Sequence, residues 1–256
     1  MSAVALVLHQ FRYDQRIFWR NPASVFFTVI FPVIFLFLFA GLFGDQSIEE
    51  LGVNAATYYV PGIITLAVVS ATLVSLAMSL VVAREAGRLK RFRGTPLPAW
   101  AFIAARVGNS IVVALMMVII VTALGAIFFG VAVPTSTIGA LLVTLLIGAF
   151  SFCSLGFALS AAIPSEDAAP AITNATVLPL YFLSGVFIPE SELPEGVLHF
   201  ADLFPIRPFF EAFFAGFDPA TTGAGFEWAH LAVVAAWGIA GLVIALKTFR
   251  WTPRSS

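Results

Sequence analysis

Apolar residues along this chain are gathered into long charge-free runs instead of being spread with amphipathic periods. That is the pattern of membrane-crossing helices and not of a soluble core. About 20 apolar residues at 1.5 Å each cross the roughly 30 Å of bilayer hydrocarbon, and a helix satisfies its own backbone there. Six stretches meet that length, residues 23–43, 59–83, 102–129, 138–163, 169–188 and 229–246. In the fifth, Pro170 and Pro179 remove backbone donors. They predict a kink and a place inside the bundle, where neighbours can satisfy the freed carbonyls.

The regions between the runs carry their own patterns. Residues 1–22 place Val4, Val7, Leu8, Phe11 and Phe18 near one helical face and Arg12, Arg16 and Arg20 along another, which predicts an amphipathic helix in the membrane interface. Asn21 and Pro22 suit the cap and first turn of the first span. Residues 84–100 are dense in charge at their start and closed by Gly94, Pro96 and Pro98, so a short helix followed by a stop is expected. Arg84, Arg88 and Arg91, at i, i+4 and i+7, would project from it as a charged knob. Residues 189–228 form the longest segment outside the spans, yet Phe200, Leu203, Phe204, Phe209, Phe210, Phe213, Phe214 and Phe217 recur through it. With Pro205 and Pro208 interrupting it, short re-entrant or interfacial helices that cap the bundle from outside are expected. The fold class is therefore an all-α membrane protein with six transmembrane helices, an N-terminal cytoplasmic amphipathic helix (1–22) and outer re-entrant helices between spans five and six. Residues 23–256 form the membrane domain.

Composition sharpens this reading. Of 256 residues, 60% are hydrophobic and 11% charged, less than half the share of about 25% in soluble domains, which excludes an ordinary soluble enzyme. The net charge of -1 hides a segregation. Arg12, Arg16, Arg20, Arg84, Arg88, Lys90, Arg91, Arg93, Arg106, Lys247, Arg250 and Arg254 all fall on one side of the expected topology, and only Arg207 falls on the other. By the positive-inside rule that side is cytoplasmic and holds both termini, as in a bacterial plasma-membrane protein. The short loop with Glu166 and Asp167 has no basic residue and is assigned to that side by parity alone.

Catalytic chemistry is not evident. The zinc-protease, serine-hydrolase and nucleotide-binding loop motifs do not occur, and nothing suggests nucleic-acid binding. His9, His199 and His230 are isolated, and Cys153 is the one cysteine, so neither an intramolecular disulfide nor a thiolate metal site is expected. Aside from Arg106 in its first turn, no span carries an ionisable residue of the kind that proton-coupled transporters and voltage sensors keep at membrane depth. Ala67, Ala71, Ser75 and Ser79 form a ladder suited to close helix packing.

Two stretches then carry a resemblance. Glu85, Gly87, Leu89, Arg91 and Pro96, in the charged run before the third span, and the block from Phe182 to Pro189, followed by Leu193-Pro and Phe204-Pro, resemble the membrane permease subunits of type-2 ATP-binding-cassette exporters. That family includes drug-efflux and polysaccharide or lipid export systems. The resemblance implies a pair of six-span units, this chain with a second copy or a paralogue, in contact with separate ABC ATPase subunits. ATP and magnesium would belong to the ATPase, with no cofactor on this chain. Glu85, Gly87, Arg88, Leu89, Lys90 and Arg91 would form the coupling helix in a groove of the ATPase, beside the 1–22 connecting helix. A path lined by spans two and five would draw on Thr65, Ser70, Thr72, Asn174, Thr176, Tyr181 and Phe182, although helix packing accounts for these residues equally well.

Uncharged, Phe-rich spans favour a hydrophobic or amphiphilic cargo, a drug or a lipid-like metabolite, moved outward. Export of a polysaccharide or lipid-linked glycan is the alternative within the family, and a passive channel or membrane scaffold the alternative outside it. An intramembrane enzyme would need buried nucleophiles or paired carboxylates, which the spans do not offer.

Overall fold

Residues 3–48, 52–93, 98–188 and 194–249 are described by a computed structural model. Among them, five helices are long and apolar enough to cross a membrane. These are span 1 (Pro22–Phe43), span 2 (Ala55–Glu85), span 3 (Trp100–Phe129), span 4 (Ile138–Ala162) and span 6 (Trp228–Thr248). Asn21 and Pro22 start span 1 as their chemistry suggests, the Asn21 Oδ1 accepting the Ser24 N–H at 3.3 Å.

The fifth helix differs from expectation. It runs Ala169–Leu183, 15 residues or about 22 Å, and stops short of position 188. Pro170 opens the helix instead of kinking it. Pro179 withholds an N–H near the far end, the Ser184 hydroxyl donates to the Tyr181 carbonyl at 2.8 Å, and Gly185 turns the chain at φ 81, a conformation that glycine adopts without strain. The Tyr58 hydroxyl of span 2 fastens this turn by donating to the Gly185 carbonyl at 2.6 Å.

The segment that follows the fifth helix folds back among the spans. Glu195–Ala201 packs on the fifth helix, and Ile206–Phe217 runs between spans 2, 4 and 6. Its far end is set by the Thr137 hydroxyl at the start of span 4, which donates to the Gly216 carbonyl at 2.6 Å. Its inner end lies deep. Phe209 occupies the space where a Cβ on Gly148 would stand, ten residues or about 15 Å inside span 4. The Trp237 Nε1–H, nine residues inside span 6, donates to the Leu203 carbonyl at 2.7 Å. Phe209, Phe210, Phe213, Phe214 and Phe217 are all buried. The segment is thus re-entrant, as its phenylalanine content predicts, and inserted among the spans more than resting over them. Residues 189–193 of the expected outer segment, including Pro189 and Leu193, lie outside the described residues.

Span 2 is the central column. Two thirds (67%) of its most apolar stretch is buried by the protein, against 22% for span 1 and 28% for spans 3 and 6. Small residues allow the close approaches. A Cβ on Gly156 of span 4 would stand 3.0 Å from the Leu73 carbonyl oxygen of span 2. On span 6, Cβ atoms at Gly238 and Gly241 would stand 2.8 Å from Ser151 Cα and 2.9 Å from the Leu155 nitrogen, and the Ser151 hydroxyl donates to the Val234 carbonyl at 2.8 Å. Such contacts replace the hydrophobic driving force that lipid removes. The expected ladder splits, Ala67 and Ala71 being buried, Ser75 and Ser79 only half-buried.

Spans 1 and 2 each contain one widened turn, at Phe26–Ile30 and Ser70–Val74, where N–H groups reach back five residues, and the two turns pack together. In span 1 the cause is Pro32, which lacks an N–H and crowds the carbonyl four residues back. In span 2, side chains compete for the ladder: the Tyr181 hydroxyl donates to the Leu66 carbonyl at 3.1 Å and the Thr72 hydroxyl to the Val68 carbonyl at 2.6 Å.

Candidate functional site

Span 2 ends at Glu85, and Gly87, at φ 66, reverses the chain into a separate helix, Arg88–Arg93. The break changes the expected knob. Arg84 does not share a helix face with Arg88 and Arg91: it is buried in the last turn of span 2, at 3% exposure. Its guanidinium donates to the Ser160 carbonyl at 2.9 Å and the Ile163 carbonyl at 2.7 Å, and pairs with Glu85 at 2.8 Å. A helix terminus leaves its last carbonyls without partners, and a cation suits that end of the dipole. Arg84 therefore caps span 4. The same contact places the Glu166–Asp167 loop at the basic end of the bundle, where parity had put it.

The short helix presents Lys90 and Arg91 outward, with Arg88 half-buried. Between them Leu89 is fully buried, in a cluster with Leu76, Leu80, Ala83, Phe102, Cys153, Phe157 and Ala245. Leu89 thus joins this helix to the end of span 2 and to an apolar cluster that also draws on spans 3, 4 and 6. Gly94 and Pro96, expected to fix the following turn, lie outside the described residues, and Pro98, in extended conformation, precedes Ala99, where the helix of span 3 begins.

The arm helix, Ala3–Trp19, packs on span 3. The docked face overlaps the expected apolar one: Phe18 is buried and Phe11 lies against Gly108 of span 3, but Gln10 and Asp14 are buried beside them and Leu8 is exposed. Arg106, expected in the first turn of a third span starting at residue 102, stands seven residues inside the helix that begins at Ala99. It pairs with Asp14 at 3.5 Å, donates to the Ser79 hydroxyl of span 2 at 3.3 Å and lies over the Phe102 ring. The Gln10 amide donates to Asp14 at 3.0 Å. A polar node thereby ties the arm to spans 2 and 3. Its sequence signal was Asp14 itself, the one acidic residue of the arm, spaced four from both Gln10 and Phe18.

Burial pushes the Asp14 carboxyl above its usual range, against the opposing pulls of Arg106 and the Gln10 amide. A carboxyl whose pKa is higher folded than unfolded binds its proton more tightly in the docked arm. Docking therefore strengthens as pH falls through the raised value and levels off near the unfolded value of about 4. Amide exchange of residues 5–19, corrected for intrinsic rate, is expected to slow on acidification from neutral pH. Asp14→Asn should remove that dependence, and an unchanged slope in the variant would contradict the assignment.

The expected path residues fall into two sets. Thr65, Thr72 and Tyr181 lie in the interior of the chain, at 0%, 0% and 3% exposure, with Ser70 half-buried and its hydroxyl 3.5 Å from that of Tyr181. Tyr181 joins the fifth helix to span 2 through Ser70 and the Leu66 carbonyl, while the Thr72 hydroxyl bonds within span 2. Asn174, Thr176 and Phe182 stand on the opposite, exposed face of the fifth helix, the Thr176 hydroxyl bonded back to the Ile172 carbonyl at 2.8 Å. Among the described residues, no group of three metal-ligating side chains occurs.

A family model described as ABC-2 type transporter matches residues 6–217. The chain is also similar to the inner membrane transport permease YadH of Escherichia coli, at 26% identity over 194 residues, covering 74% of this chain and 75% of that one. YadH of Shigella flexneri matches with the same identity and coverage.

Proposed function

This chain belongs to the ABC-2 type transporter family, and from that premise we propose that it is the permease subunit of an ATP-driven exporter, energised by a separate ABC ATPase. It is an integral membrane transport subunit; in the proposed orientation both termini and the Arg88–Arg93 helix are cytoplasmic. ATP and magnesium are handled by the partner. One observation carries the reading. The Arg88–Arg93 helix offers exposed Lys90 and Arg91 while Leu89 is buried in an apolar cluster that draws on spans 2, 3, 4 and 6, so a push on its charged face reaches the bundle through a buried, close-packed side chain. The arm enters the same assembly through Asp14 and Arg106.

Two copies, or this chain and a paralogue, form the transport unit. The path then takes the exposed face of the fifth helix, Asn174, Thr176 and Phe182, as its lining, and Thr65, Thr72 and Tyr181 as the bracing behind it. A hydrophobic or amphiphilic cargo suits walls with so little charge.

Arg88→Glu combined with Arg91→Glu tests the coupling site. A tagged chain purified in mild detergent is expected to bring down a P-loop ATPase in near-equal amount, and the double variant to lose it. Like charges brought face to face across an interface cost several kcal/mol, so the loss should exceed tenfold. An equal yield of ATPase with both proteins would move the contact elsewhere. Recovery of the wild type without any ATPase, under conditions that keep other transporter complexes whole, would favour a channel or scaffold.

A further inference from the structure

Spans 3, 4 and 6 enclose an apolar cavity of about 370 Å³, with Ile103, Val107, Phe150, Cys153, Ala245 and Phe249 among its walls. It opens sideways, since Phe150 is 42% exposed and Leu246, on its rim, 77%. The one hydroxyl in the wall, on Ser154, is bonded back to the Phe150 carbonyl at 2.8 Å. Water has too few polar partners to settle in such a space, whereas hydrocarbon fills it.

Depth identifies which hydrocarbon. Measured along the helices from the basic end, Leu242 lies six residues from Thr248, Val107 eight from Ala99 and Cys153 nine from Ala162. These are depths of about 9 to 14 Å, one leaflet of a hydrocarbon layer roughly 30 Å thick. Lys247 follows Leu246 at this end and is exposed, and the charge of the whole face is basic. We infer that the cavity holds one acyl chain of an anionic phospholipid from the leaflet at the basic end, with Lys247 meeting its phosphate. The inference requires only that the chain spans a membrane, and stands apart from the ATPase and cargo proposed above.

The purified full chain, reconstituted in vesicles doped with phosphatidylglycerol or phosphatidylcholine bearing a photoreactive diazirine in one acyl chain, provides the test. After irradiation and peptide mapping, label is expected to concentrate on residues 150–157 and 242–249, severalfold above the lipid-facing stretch around Ile119 and Ile127. A basic residue at the surface contributes about 1 kcal/mol toward an anionic lipid, so phosphatidylglycerol should label about fivefold more strongly, and Lys247→Gln should erase that preference. Ala245→Phe and Val107→Phe, which fill the cavity from opposite walls, should each abolish the concentrated label while leaving that at Ile119 and Ile127 intact, a sign that the bundle is folded. Even labelling of cavity and control stretches in the wild type, or label undiminished in both filled variants, would overturn the acyl-chain site. Equal labelling by the two headgroups would overturn its anionic preference.

Discussion

Arg84→Met is expected to unfasten the basic end of the bundle and lower the thermal stability of the purified chain by on the order of 10 °C. Methionine keeps most of the buried stem but none of the donors. It leaves the Ser160 and Ile163 carbonyls and the Glu85 carboxylate without the guanidinium that now serves all three. A buried acceptor left unmatched costs about 1 to 3 kcal/mol, and breaking a buried ion pair about 3 to 5. Arg84→Lys should fall between, because one ammonium cannot span two carbonyls as the forked guanidinium does. Thermal unfolding followed by size-exclusion profile after heating measures both. A methionine variant melting with the wild type would mean that water reaches these carbonyls.

Leu89→Ala should separate binding from work. The charged face of the Arg88–Arg93 helix is untouched by the change, so the ATPase proposed as its partner should be recovered at the wild-type level. The side chain that roots the helix is shortened, however, and a cavity opens in the buried cluster to which it belongs. Leucine truncation in a packed core costs about 2 to 5 kcal/mol. Here that energy holds the helix to the span ends, and its loss should reduce ATP-dependent transport in vesicles more than tenfold while ATP hydrolysis continues. Leu89→Met, which nearly conserves volume, should restore transport. Transport unaffected by the alanine variant would show that force enters by another route, the arm being the obvious one.

Most of the architecture was legible because lipid imposes a simple rule on a chain: charge-free runs of sufficient length become helices, and Lys and Arg mark one end. The five long spans, the Asn21–Pro22 start and the re-entrant phenylalanine segment followed from that rule. The departures share a cause, which is that polar side chains were read by sequence position while their partners lie far along the chain. Arg84 looked like one of a run of loop cations, but its acceptors sit at 160 and 163. Asp14 interrupts a cationic arm without evident purpose until Arg106 and Ser79 are brought beside it. Leu8 belongs to the apolar face expected in the membrane interface, yet the arm docks on a protein surface that offers an arginine, and Gln10 and Asp14 meet it there while Leu8 stays exposed. The end of the fifth helix at Leu183 depended on Tyr58, 127 positions away from its Gly185 acceptor.

The re-entrant segment also constrains how the molecule is made. Asp202, Arg207 and Glu211 form a charged group at its inner end, Arg207 pairing with Asp202 at 2.6 Å and lying 3.8 Å from Glu211. Three such residues beside Pro205 and Pro208 cannot partition into bare lipid, where each charge at the bilayer centre costs about 2.5 to 3.5 kcal/mol even by the mildest scale. During synthesis this stretch must therefore cross to the far side as a soluble loop and fold back only after span 6 has emerged, when Gly148, Tyr58 and Trp237 are in place to receive it. The last step in building the protein is thus a local one, and chain truncated before span 6 should present its phenylalanines to whatever chaperones attend the face opposite the basic end.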